Sequence, residues 1–138
     1  MTLTDWVLGE VRKHLPNEAI LRGPRSDRTF DGRPVAADVR RCIVVHTIGP
    51  THAGVSLNPG TDVATIRLIA HTFALTAREV EERRAAFWRS IRHRAPDVDG
   101  WSWGFPDHPT AIEDDPDTSL GVPLLHVIDE YTYSGLEA

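Results

Sequence analysis

The chain has 138 residues, 41% of them hydrophobic and 25% charged, with a net charge of −5. That is the length of one domain, spanning 1–138, with enough apolar residues for its own core. No stretch approaches the roughly 18 consecutive apolar residues of a membrane span. The single cysteine, Cys42, excludes an intrachain disulfide and a Cys-rich zinc site. Met1–Asp5 lacks the basic-then-apolar order of a secretion signal, so no leader is expected.

The charge is unevenly spread. Residues 1–96 hold all fifteen Lys and Arg against ten acids, a balance of +5, whereas residues 97–138 hold ten acids and no Lys or Arg. Such a split concerns surfaces and partners rather than fold, and the overall sign argues against a nucleic-acid groove.

In chain order, Leu3, Val7, Val11 and Leu15, with Leu8 beside them, predict an amphipathic helix from Thr4 or Asp5 to Leu15. Thr2 or Thr4 caps its start and Pro16-Asn17 stops it. Ala19-Ile20-Leu21 reads as a short strand. The loop from Arg22 to Asp38 is long for a compact domain and is expected to contact a partner. Val39–Ile48 is the next strand, followed by a hairpin tip from Gly49 to Thr61, expected to be a second contact segment, and a returning strand, Val63–Phe73.

Thr76 followed by Glu79 is a capping-box pattern, and Leu75 with Val80 has the spacing of a hydrophobic staple. A helix to about Arg94 follows, with a buried stripe of Ala77, Val80, Phe87, Trp88 and Ile91. Trp101–Phe105 alternates large and small residues like a short strand, Pro106–Thr118 reads as a loop rich in Asp and Pro, and Val122–Tyr133 is a closing strand. That strand is expected to turn Leu125, Val127, Tyr131 and Tyr133 to one face and His126, Glu130 and Thr132 to the other. The fold class is therefore α+β: a mainly antiparallel sheet, order α-β-β-β-α-β-β, with an N-terminal helix and one long central helix on one face.

The chemistry-bearing residues form no familiar motif. His46, His71 and His126 fall in separate strands, where three imidazoles suit a facial zinc site, but HExxH, HxH and Cys pairs are missing. Cys42 and His46 lie about 13 Å apart along a strand, too far for a nucleophile and its base. Glu113, Asp114, Asp115 and Asp117 lack the glycine and terminal bidentate Glu of an EF-hand. No phosphate loop, dinucleotide fingerprint or nucleophile elbow is present, and no catalytic residue, metal or cofactor is assigned.

The whole layout carries a resemblance. A helix, Trp6–Leu15, ends in Leu-Pro; a strand, Val63–His71, opens into Thr76-Ala77-Arg78-Glu79-Val80-Glu81; one helix precedes a Trp-rich turn and the closing strand Leu124–Tyr131. This order resembles the tail terminator family of long-tailed bacteriophages, also called tail completion or tail-to-head joining proteins. The resemblance implies a non-enzymatic virion protein, assembled in the host cytoplasm and placed at the head-tail junction. Members form hexameric rings that cap the tail tube, end its polymerisation and join it to the head connector. The implied partners are thus other copies of the chain, the major tail tube protein and the head-completion protein, with DNA passing through unbound and no membrane. A head-closure or adaptor ring, or a small metal-dependent enzyme, are the alternatives. Within a ring, Glu113, Asp114, Asp115, Asp117, Asp129 and Glu130 are candidates for the channel wall or for pairing with Arg89, Arg92 and Arg94 of a neighbouring subunit.

Overall fold

The computed structural model describes residues 1–23, 42–52, 63–113 and 124–137. Helix α1 (Leu3–His14) starts one residue before the expected boundary because Thr2 is the cap. The Thr2 hydroxyl accepts from the Asp5 N–H at 3.2 Å while the Asp5 carboxylate accepts from the Thr2 N–H at 3.3 Å. Two otherwise orphaned donors are thereby satisfied, worth about 1 kcal/mol. Thr4 turns inward and bonds Thr47.

Six strands follow among the described residues: β1 (Ala19–Arg22), β2 (Cys42–His52), β3 (Val63–Ala74), and, after helix α2 (Ala77–Ile91), β4 (Trp101–Trp103), β5 (Asp107–Glu113) and β6 (Leu125–Glu137). They form one sheet in the order β1-β2-β3-β6-β4, with β5 also paired to β6. Among the described strands, only the β1–β2 pairing is parallel. Both helices pack on one face, where Leu3, Val7, Val11, Phe87 and Ile91 meet Ile43, Val45, Leu68, Ala70, Tyr131 and Tyr133. The expected α+β class and order α-β-β-β-α-β-β are present, and β5 is one further strand.

Four details differ from the sequence reading. Pro106–Thr118 does not read as loop throughout, since Asp107–Glu113 pairs with β6; Asp and Pro are poor strand formers, but an edge strand tolerates both. Gly49-Pro50 does not end β2, which continues to His52 across a register shift between Ile48 and Thr51. Helix α2 stops at Ile91, with Arg94 held in a turn by the Ile91 carbonyl. Ala77 is exposed, while Ser90 joins the buried stripe by bonding its hydroxyl to the Ala86 carbonyl. The remainder of the Arg22–Asp38 loop beyond Gly23, and all of the hairpin tip from residue 53 onward, lie outside the described residues.

Candidate functional site

Among the described residues, polar groups converge in two places, one on each face of the sheet. Beneath α2, the strict alternation of β6 buries Val127, Asp129, Tyr131 and Tyr133. Asp129 is 1% exposed, yet both its oxygens are occupied. Arg84 donates to them through Nε and Nη2, each at 2.8 Å, and His108 Nε2 lies 2.8 Å from Oδ1. The hydrogen bonds to Asp129 raise the Arg84 guanidinium further above its ordinary value. Such a bidentate, nearly dry pair is strong once formed and costly to break. Tyr131 lies between the rings of Trp88 and His108, at 5.5 and 4.5 Å, and its own hydroxyl is pushed up by burial. With Glu81 and Ala85 these groups line an open cleft of about 260 Å³ between α2 and β5.

On the helix-free face, His46, His71 and His126 stand side by side on β2, β3 and β6. Ring centroids are 5.5 Å apart for His46–His71 and 5.0 Å for His71–His126, with planes inclined by only 21° and 22°. His71 Nδ1 and His126 Nε2 share a hydrogen bond of 2.8 Å, so one donates and the other accepts. The stack continues to Phe73, 4.2 Å from His126. A metal needs in-plane lone pairs aimed at one point, whereas stacked rings point theirs along parallel planes. Among the described residues no group of three His, Cys, Asp or Glu is placed to hold a metal ion. Cys42 is fully buried with Val44, Phe73 and Leu124.

The residues singled out as channel or interface candidates separate. Asp129 belongs to the interior, and Glu130 is paired on the helix-free face with Arg67, at 2.5 and 3.1 Å. That pairing holds the Glu130 carboxyl below its usual range. Glu113 ends β5 and is exposed; Asp114, Asp115 and Asp117 lie outside the described residues. Arg94 turns back to Glu10 of α1 at 2.8 Å. Arg89 and Arg92 are exposed at the end of α2, with no ion-pair partner among the described residues. Two site residues escaped the sequence reading, Arg84 and His108. Arg84 was the readable one: it sits on the buried stripe between Val80 and Phe87, where a cation requires a buried anion.

No protein-family model matches the sequence, and no curated protein does. A solved structure matches in fold. A chain from the virion of a native gene transfer agent particle superposes with a TM-score of 0.65 at 11% identity, over 99% of this chain and 95% of that one. The two share a fold.

Proposed function

We propose that this protein is a structural component of a phage-like virion, and within it a ring that caps the tail tube, ends its polymerisation and joins it to the head connector. The observation that carries the reading is the end-to-end fold match to a virion chain, which leaves little of either chain unmatched. It agrees with the element order that resembles tail terminators. The charge split supplies a physical rationale. Arg89 and Arg92 are cations at a helix C-terminus, where the macrodipole favours them and leaves them available to an acidic neighbour. The acids of residues 97–138 give a ring a negative zone. An acidic lumen repels DNA across a screening length of about 8 Å and lets it pass unbound. Glu113, Asp114, Asp115, Asp117 and Glu130 are the candidates for that wall; Asp129, neutralised inside the subunit, is not.

The test is the copy number of the chain in purified particles, with native mass measurement of the isolated protein. A hexameric ring predicts a multiple of six or three per tail, and any other number overturns it. Reversing Arg89 and Arg92 to Glu is expected to prevent assembly. Reversing Glu113, Asp114, Asp115 and Asp117 to Arg is expected to spare assembly and slow genome passage in a salt-dependent way. Location at the head-closure position instead of the tail end, by labelling of particles, moves the protein to the adaptor class.

A further inference from the structure

Helix α2 carries two stripes of the same spacing. The first, Val80, Arg84, Phe87 and Ile91, faces the sheet. The second, Glu81, Ala85, Trp88 and Arg92, runs along the flank of the helix. Steps of four, three and four residues keep side chains on one line, as the seam positions of a coiled coil do. The whole stripe lies inside the unbroken described stretch 63–113, and Arg92 keeps a helical backbone at φ −59°, ψ −31°.

Glu81, Ala85 and Arg92 are exposed, and Trp88 is half-buried with its ring stacked on Tyr131. The other charged side chains through the middle of α2 are paired: Arg78 with Glu82, Arg83 with Glu18 and Glu79, and Arg84 with Asp129. Glu81 and Arg92 have no ion-pair partner among the described residues. Glu81, Ala85 and Trp88 also line the cleft of about 260 Å³ beside Arg84 and His108. Arg84 and Asp129 neutralise one another there, which leaves the Glu81 carboxylate to attract a cation. Small-molecule sites commonly run to roughly 300–1,000 Å³, so a cleft of this size suits a single side chain.

We infer that this stripe is a two-fold contact between copies of the chain: α2 of a second copy lies antiparallel along it, and Arg92 of each copy pairs with Glu81 of the other. The occupant is a second copy because one stripe supplies both halves of the match. Reversed about its midpoint, between Ala86 and Phe87, it sets Glu81 against Arg92 and Ala85 against Trp88. The small Ala85 leaves room for the indole, and large against small is how facing helices interdigitate. A parallel copy would set Glu81 on Glu81 and Arg92 on Arg92, so the charges select the antiparallel arrangement. A tryptophan at the centre with ion pairs at the rim is the layout of an energetically productive contact. A surface that meets itself is isologous and stops at two copies. The inference goes beyond the ring reading. It engages Arg92, a cation that reading gives to a neighbouring subunit, so the free dimer and the ring are alternative uses of one helix end.

The test is a charge exchange on the isolated full chain, read by sedimentation up to millimolar concentration. The wild type is expected to show a monomer–dimer equilibrium. Glu81→Arg and Arg92→Glu should each weaken dimerisation by about tenfold or more, because each turns two attractive pairs into two repulsive ones. Combined in one chain, the two changes exchange the charges and should restore dimerisation to near the wild-type constant. Both residues are exposed, so the circular dichroism spectra should match throughout. A wild type that stays monomeric at millimolar concentration overturns the inference, as do single variants that dimerise like the wild type or a folded double variant that fails to recover. Copy number in particles is read separately. A monomeric free chain that forms rings in particles overturns the dimer and leaves the ring reading standing. A dimer with this charge pattern, from a chain that forms no ring in particles, supports the dimer and overturns the ring reading.

Discussion

The two faces of the sheet solve the burial of polar groups differently. Under the helices, Asp129 is buried with both carboxylate oxygens hydrogen-bonded, held by Arg84 of α2 and His108 of β5. On the other face three imidazoles stand in a row, of which His71 is buried and shares a hydrogen bond with His126. That face also keeps Ile48, Val63, Ile112 and Leu136 exposed at 43–55%. The helix-covered face buries its apolar side chains against α1 and α2, whereas the helix-free face keeps several apolar side chains exposed.

Removing Asp129 should break this contrast most severely. Asp129→Ala deletes the anion and leaves Arg84 over an apolar floor, an outcome typically costing about 3–5 kcal/mol. Denaturant unfolding checks it. Glu130→Ala, one residue along but on the helix-free face and facing solvent with Arg67, is expected to shift the midpoint far less. Equal losses for the two variants contradict the distinction between the faces.

A second comparison concerns packing. Gly135 of β6 lies directly against β4: a Cβ there meets the Trp103 ring and sits 2.8 Å from the Ser102 carbonyl oxygen. Gly135→Ala should cost about 1–3 kcal/mol through forced displacement of β4. Gly9, within α1, has open space around it, so Gly9→Ala should stabilise by about 0.5–1 kcal/mol. The same chemical change thus acquires opposite signs, and thermal melts of the two variants read both.

Much of this architecture was legible before any coordinates. The helix stripes, the Thr2 and Thr76 caps and the β2–β3 hairpin follow from local periodicity, which physical spacing makes decisive. Strand β5 was not, because an edge strand with one pairing partner needs neither alternation nor high propensity. The Asp129 site was half legible. Strict alternation along Val127, Tyr131 and Tyr133 places Asp129 on the buried face, but its charge suggested the surface; the compensating Arg84 lies 45 residues away in sequence. Ion pairs between distant elements leave no mark in local patterns. The three strand histidines were visible individually, while their stacking depended on the register that aligns β2, β3 and β6.

The smallest expected effect tests whether burial disfavours the charged form of His46. Burial lowers the His46 pKa below its ordinary 6.5, because a charged ring there loses hydration. The unfolded chain therefore binds a proton at His46 near pH 6.5 that the folded protein does not yet take. Stability contributed by this site is complete above pH 6.5 and falls as pH drops from 6.5 toward the lower folded value. Across that window the unfolded state holds up to one extra proton, so the slope contributed by His46 cannot exceed about 1.4 kcal/mol per pH unit. Urea midpoints of the wild type and of His46→Leu, measured from pH 8 to pH 5, isolate this site from the other histidines. The difference between the two proteins should be constant above pH 7 and shift toward the variant's favour below 6.5. A difference that stays flat throughout means that His46 accepts a proton as readily folded as unfolded, and that its burial does not disfavour the charged ring.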